Sequence, residues 1–294
     1  MLKLKFVLFF ITFCNFVNSQ TNYEFFGVIK LNGDEKSMIS YRLVFEEKNG
    51  NVQGYSITDL DGVHETKNVI EGTYNSKKNE LNFREKEILY TKSKISPTSF
   101  CFINFLGKVK LDNANSKIDG DFKGLFKNKQ KCIDGTLTLA GIVKIEKAVQ
   151  KLTNKIEKTN RIDQQTKERV NPMRMLDSLK INKLNKGENL NVFWDSDELK
   201  LSVWDAGRYD GDIINLYHND IKILNDYKIS SKKDVLNVKL NKGINVFKIE
   251  ALNEGDVAPN TSHIRLEGNS RVFDLMANIK KGETTQISIL KKEH

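Results

Sequence analysis

The chain lacks the short motifs that mark the common enzyme families. Its 294 residues contain no Walker loop, no G-x-G-x-x-G, no G-x-S-x-G elbow and no H-E-x-x-H pair. The chain has four histidines, and none accompanies a serine nucleophile that it could activate; they are His64, His218, His263 and His294. We therefore expect no enzymatic activity.

Arginine is also scarce, although the chain is basic. Eight of the 47 basic residues are Arg and the remainder are Lys. The planar Arg fork reads guanine edges and phosphate pairs, whereas Lys acts as a point charge, so nucleic-acid recognition is disfavoured. A net positive charge would favour binding to anionic envelope polymers or lipid head groups. Acids are interleaved with the lysines throughout, however, which favours an ordinary solvated surface.

The longest apolar run stands at the amino terminus and is short. Residues 6–13 are apolar except for Thr12, follow Lys3 and Lys5, and precede the small and polar residues 17–20. This order is typical of a secretory signal peptide, and the run is well short of the roughly 20 apolar residues of a membrane-spanning helix. We expect residues 1–20 to be a cleaved signal peptide. The mature protein is then secreted or periplasmic, with a net charge of about +7 instead of the formal +9.

Cysteine is rare, and no C-x-x-C pair or Cys/His cluster occurs, which excludes a structural zinc site. Cys14 lies inside the signal run and follows Phe13, which is not the small residue that a lipoprotein anchor needs. The remaining pair, Cys101 and Cys132, predicts one disulfide in an oxidising compartment. That bond would stabilise the fold by roughly 3–4 kcal/mol. Two separate buried thiols are the alternative.

Alternating apolar and polar residues, with turn signals every eight to twelve positions, dominate residues 21–142. This pattern predicts about eight antiparallel strands that form a meander or barrel. Such a barrel either holds one small ligand or fills itself with side chains. The motif apolar-x-Gly recurs near strand starts and indicates bends or close approach of a neighbouring strand; its glycines are Gly54, Gly72, Gly120 and Gly135. The rhythm of this half loosely resembles the lipocalin-like barrels of secreted bacterial proteins.

The pattern changes over residues 143–186, which we interpret as a helical linker. A stripe at helical spacing, too short for a coiled coil, predicts a helix that packs on a neighbour; its residues are Ile145, Val149, Leu152 and Ile156. Asn171-Pro172 ends that helical region, and two further turns follow. Strand patterns return over residues 187–294, where seven to nine short strands predict an antiparallel β-sandwich. The fold class is therefore all-β.

Residues 204–212 are the best candidate for a functional segment. Asp205, Asp210 and Asp212 could hold calcium with carboxylate oxygens, although their spacing is not that of an EF-hand. The alternative is a tight loop whose aspartates bond backbone amides. Trp204 should point outward and Tyr209 lies beside it, so both are candidate ligand contacts for a sugar ring; ordinary packing at the rim is the alternative. Trp194 should point inward.

The same segment carries a family resemblance. Asp205-x-Gly207-x-x-Asp210-Gly211-Asp212 leads into an alternating strand, and residues 250–255 and 259–261 read EALNEG and PNT. Together they resemble a small β-sandwich module at the C-terminus of many secreted proteins of Bacteroidetes-type bacteria. The resemblance covers about residues 197–290. It implies an extracytoplasmic Ig-like or jelly-roll-like module with adhesive or binding duties and no catalytic residues.

Two functions remain open from the sequence. The first is a secreted or periplasmic, non-catalytic binding protein of the cell envelope that takes a small apolar ligand or an envelope glycan. The second is a structural or assembly component of a surface or secretion apparatus that binds an envelope protein through unpaired strand edges. Large side chains filling the barrel would argue against ligand carriage and favour the second function.

Overall fold

The computed structural model describes residues 21–33, 38–112, 116–205, 210–269 and 271–291. Residues 1–20, assigned above to a signal peptide, and the candidate contact Tyr209 lie outside this set. The described chain is all-β, as predicted, with an N-terminal barrel, three helices and a two-sheet sandwich. No helix in the described part has the length and apolar content needed to cross a membrane.

Eight antiparallel strands form the barrel, in agreement with the predicted number. Each strand pairs with its neighbours in sequence, and the ring closes because β8 pairs with β1. Strand pairing from Phe25↔Gly141 to Leu31↔Gly135 makes this closure. The strands are β1 Thr21–Leu31, β2 Met38–Lys48, β3 Asn51–Thr58, β4 Thr66–Asn75, β5 Glu80–Thr91, β6 Phe102–Lys108, β7 Lys117–Leu125 and β8 Gly135–Gly141.

Two glycines of the recurring motif show why the strands curl tightly enough to close. A Cβ on Gly54 would lie 2.1 Å from the carbonyl oxygen of Val44, and a Cβ on Gly72 would lie 2.0 Å from that of Asn82. At both points the neighbouring backbone occupies the space of a side chain. The motif therefore marks close approach between strands, as the sequence predicts.

Cys101 and Cys132 form a disulfide, as predicted, with their Cα atoms 6.0 Å apart. Cys101 precedes β6, and Cys132 lies in the connection between β7 and β8. The bond therefore ties the start of β6 to the turn that leads into the last barrel strand.

The linker contains three helices, α1 Ile142–Glu157, α2 Gln164–Arg169 and α3 Pro172–Ser178. Helix α1 carries the predicted stripe and contacts α3. Pro172 begins α3, where a missing N–H costs nothing. The linker ends earlier than the sequence analysis places it. Strand β9, Asn182–Leu184, already pairs with β17 of the sandwich. The sequence does not reveal this strand, because three residues are too few to show alternation.

Ten strands, β9 to β18, build the sandwich. Its second sheet has the order β14-β11-β16-β17-β9, and the order β13-β12-β15-β18-β10 continues into the barrel. The further strands are β10 Asn189–Trp194, β11 Glu198–Trp204, β12 Ile213–His218, β13 Ile221–Lys228, β14 Asp234–Lys239, β15 Ile244–Ala251, β16 Asn260–Glu267, β17 Val272–Ile279 and β18 Thr284–Lys291.

The predicted sandwich is wrong in one respect, since it is not purely antiparallel. Strand β10 pairs with β18, and β9 pairs with β17, in parallel register. These are pairings between the two ends of the C-terminal region, about a hundred residues apart in sequence. Alternation predicts which face of a strand is buried but contains no information about which distant strand lies beside it.

The barrel and the sandwich share a strand. The carboxyl end of β5 leaves the barrel and pairs with β10, with Tyr90 opposite Val192 and Thr91 opposite Asn191. The ring of Tyr90 belongs to the core of the sandwich and meets the ring of Phe273 at 6.2 Å. The two β units are therefore joined by a continuous sheet in addition to the linker.

Ion pairs reinforce this junction. Arg271 in the sandwich donates to Glu87 on β5 at 2.9 Å and to the carbonyl oxygen of Phe193 at 2.9 Å. On the other side, the ammonium of Lys92 lies 3.3 Å from Glu188, and its side chain is almost fully buried. Lys92 is almost fully buried whereas Glu87 is 35% exposed, so one pair joins the units inside the junction and the other at its rim.

Candidate functional site

The interior of the barrel is the first place to look for a ligand, and it is full. Sixteen buried apolar side chains form one continuous core there: Phe25, Ile29, Tyr41, Leu43, Phe45, Val52, Ile70, Leu81, Phe83, Ile103, Phe105, Val109, Ile118, Phe122, Leu137 and Leu139. The rings of Phe83 and Phe105 stack with centroids 5.4 Å apart, and those of Phe25 and Phe45 lie at 5.9 Å. Aromatic side chains thus occupy the volume in which a lipocalin-like barrel would hold its ligand.

A polar network is enclosed in the same interior. Glu85 on β5 is buried and accepts hydrogen bonds from the hydroxyl of Tyr41 at 2.9 Å and that of Ser56 at 2.5 Å. Its other oxygen accepts the backbone N–H of Ile103 at 2.8 Å. Burial raises the pKa of Glu85, and the three donors oppose that rise. Because each of its bonds stays inside the barrel, Glu85 has a structural explanation and does not mark a ligand site.

The predicted aspartates lie next to strands β11 and β12 of the sandwich. Asp212 is buried and accepts the N–H of Thr261 at 2.7 Å, and Asp210 accepts the N–H of Val257 at 3.2 Å. Asp205 is buried at the end of β11. The aspartates therefore tie the loops around β12 and β16 together, which is the structural alternative considered for them.

The electrostatics of these aspartates are unfavourable without a cation. Burial raises the pKa of Asp212 to about 6, and the charges of Asp210, Asp205 and Glu254 contribute to the rise. One carboxylate oxygen each of Asp210 and Asp212 is buried without a hydrogen bond. Nevertheless, no three His, Cys, Asp or Glu side chains in the described ranges are placed to hold a metal ion. Calcium binding by these aspartates stays a prediction.

Trp204 lies on the outer face of the second sheet, at the end of β11, and is partly buried. The ammonium of Lys233 lies 4.4 Å from the centre of its indole, and the guanidinium of Arg265 lies at 5.9 Å. The ring of His263 packs against it at 5.6 Å. These neighbours use the ring surface that a sugar would stack on, so the geometry favours packing at the rim. Trp194 is fully buried, as predicted.

A cleft that the sequence analysis missed lies where the barrel wall, the end of the linker and β17 meet. Its volume is about 190 Å³, and it contains Arg42, Tyr55 and Lys67 from the outer wall of the barrel. Cross-strand pairing places Arg42 opposite Ile57 and Ile57 opposite Lys67. No pattern in the sequence signals this site, because its walls come from three segments whose proximity depends on the shared strand β5.

Comparison of the chain with protein-family models, with curated proteins and with solved structures finds no match.

Proposed function

We propose that the protein is an exported, non-catalytic component of the cell envelope, which acts as a rigid structural unit and binds an envelope protein. The observation that carries the proposal is the filled barrel. An interior packed with Phe25, Phe45, Phe83 and Phe105 has no room for a small apolar ligand, so the barrel serves as a scaffold. This argues against the carrier function and supports the structural one.

The junction between the units supports the same proposal. A flexible two-domain binder needs relative motion, whereas here a continuous sheet and two ion pairs join the barrel to the sandwich. Fixed geometry is what an assembly component contributes to a larger structure, since a rigid body holds its binding surfaces at a constant distance.

The surface for a protein partner is the free side of the sandwich. Strand β13 is the edge strand of the sheet that continues into the barrel, at the end away from the barrel. Strand β14 is an edge strand of the second sheet, at the end away from β9. Ile221 on β13 and Val235 on β14 are well exposed. Strand β13 also has features that limit unspecific edge pairing, namely Lys222, Lys228 and a positive φ at Asp226. A partner that adds an extended segment here would therefore be selected by its side chains.

A photo-crosslinking experiment tests the protein-binding proposal in cells. A photoreactive residue replaces Val235 or Ile221 at the free edges, and the matched control replaces Val63, an equally exposed residue in a barrel loop. We expect a discrete, protease-sensitive adduct from the edge positions and none from position 63. Absence of an adduct at both edges, or equal adducts at all three positions, would reject the proposed surface.

A second experiment tests the filled barrel. The mature chain should not bind an uncharged apolar probe such as benzene, whereas Phe105→Ala should bind it, because deletion of this ring opens a dry cavity. Phe105→Leu, with a smaller void, controls for loss of folding. Stoichiometric binding of the probe to the unmodified protein would restore ligand carriage and overturn the scaffold argument.

A further inference from the structure

The junction cleft contains a cation whose charge is not neutralised by a bonded partner. The ammonium of Lys67 lies 3.7 Å from the centre of the Tyr55 ring, which is a cation–π contact. In the described part of the chain it makes no ion pair within 4.0 Å. The side chain is half-buried in the cleft, which Tyr55 and the end of the linker also line.

The other charged groups in the cleft have partners of their own. Arg42 pairs with Glu24 at 2.8 Å, Lys180 with Glu146 at 3.2 Å, and Asp274 with Arg265 at 2.7 Å. Glu65 accepts the hydroxyl of Tyr90 at 2.8 Å and the N–H of Asp61 at 2.6 Å. Four of the five charged groups are thus satisfied, and one positive charge remains available to a ligand.

The environment of Lys67 confirms that its charge is poorly compensated. Burial and, to a smaller extent, the positive charge of Arg42 lower the pKa of Lys67 to about 8, against the opposing effects of Glu65 and Asp274. A buried ammonium without a bonded anion is costly, and an anionic ligand would remove that cost.

The remaining walls of the cleft define the rest of the ligand. Part of them is apolar and comes from the barrel, the linker and β17, and Tyr90 and Asn182 add polar groups; the apolar residues are Ile57, Leu60, Leu179, Ile181, Val272 and Phe273. A single uncompensated cation suits a monoanion better than a dianion such as phosphate. The apolar walls suit a ligand whose other end is a small apolar group.

We propose that this cleft binds a small apolar monocarboxylate, whose carboxylate pairs with Lys67 and whose body packs between the barrel wall and β17. The site goes beyond the proposed partner binding, since it lies at the barrel side of the sandwich and not at the free edges. A ligand here contacts the barrel, the linker and the sandwich at once, so it would stabilise the arrangement of the three segments.

The test is a titration of the mature protein with sodium benzoate, followed by NMR and calorimetry. Benzamide is the uncharged control ligand, and inorganic phosphate is the test of anion class. Lys67→Met removes the charge and keeps a long apolar stem. Lys123→Met, at an exposed position on β7, is the matched control variant.

We expect saturable benzoate binding that weakens roughly tenfold or more in Lys67→Met, since a charge-assisted hydrogen bond is lost. Lys123→Met should bind as the unmodified protein does, and benzamide should bind roughly tenfold more weakly or not at all. Lys67→Arg keeps the charge and should retain part of the affinity for benzoate. Comparison of the Arg and Met variants therefore separates loss of the charge from a folding defect caused by substitution.

The pH profile gives an independent readout. Benzoate affinity should fall as the pH rises above about 8, because the Lys67 ammonium then loses its proton, and bound benzoate should raise the pKa of Lys67. The proposal is overturned by equal binding of benzoate and benzamide, or by unchanged affinity in Lys67→Met. Preference for phosphate, or no saturation by about 50 mM benzoate, would also overturn it.

Discussion

Gly72→Ala is the substitution that most directly tests how the barrel closes. Gly72 lies opposite Phe83 in the pairing of β4 with β5. An added Cβ would lie 2.0 Å from the carbonyl oxygen of Asn82 and 2.8 Å from the Cα of Phe83, whereas ordinary contacts begin at 3.4 Å. The obstacle is backbone, so rotation of a side chain cannot relieve the clash.

The cost follows from what must move. Strand β5 is held by β4 on one side and by β6 on the other, and its carboxyl end is paired with β10. Overpacking of a constrained core costs about 1–3 kcal/mol, and the rigid surroundings place this variant at the upper end of that range. With a urea m-value of about 3 kcal/mol/M, the unfolding midpoint should fall by about 1 M.

The assay is urea denaturation followed by circular dichroism and by tryptophan fluorescence. Both tryptophans, Trp194 and Trp204, lie in the sandwich, so fluorescence reports on the barrel variant only through the shared strand. We expect both signals to shift together. Thr73→Ala, at the exposed neighbouring position, should leave the midpoint nearly unchanged. A change of less than about 0.5 kcal/mol in Gly72→Ala would refute the close-approach argument.

Three further predictions concern the sandwich, the disulfide and the junction. Because the folded pKa of Asp212 is about 6, above its ordinary value of 3.8, the free energy of unfolding should fall as the pH rises from about 4 to about 6. In thermal melts, Asp212→Asn should reduce that fall. Millimolar calcium should raise the melting midpoint of the unmodified protein and leave that of Asp212→Asn unchanged. No shift in the unmodified protein would reject calcium binding. Replacing Cys101 and Cys132 by Ser should lower the free energy of unfolding in urea by roughly 3–4 kcal/mol, and a loss below about 1 kcal/mol would contradict the stabilising effect of the bond. A double-mutant cycle of Arg271→Gln and Glu87→Gln should give a coupling of about 1 kcal/mol, and a coupling near zero would show that the pair does not fix the junction.

Much of the fold was predictable because it is encoded locally. The alternation that predicts eight strands places Leu43 and Phe45 inside the barrel, and the glycine motif marks contacts such as that of Gly72 with β5. The disulfide between Cys101 and Cys132 followed from their even number and from the predicted export of the chain. The parallel pairing of β10 with β18 was not predictable, because side-chain periodicity does not choose partners a hundred residues away.

The candidate sites divide in the same way. The proximity of Asp210 and Asp212 follows from their spacing in one loop, and Trp204 lies outside as its break in alternation predicts. Whether the barrel is hollow depends on how the rings of Phe83 and Phe105 interlock, which only packing shows. The sequence does not mark Lys67 as a candidate, because the cleft around it is partly lined by segments that lie more than a hundred residues along the chain.

The shared strand β5 changes what the helical segment does. If a protease cut the chain between α1 and α3, the fragments would remain associated through the pairing of β5 with β10 and through the contacts of Lys92 and Arg271. Such a nicked molecule would migrate as one species on a native gel and separate only in denaturant. The helices are therefore one of two connections between the halves, and the pairing of β5 with β10 is the other.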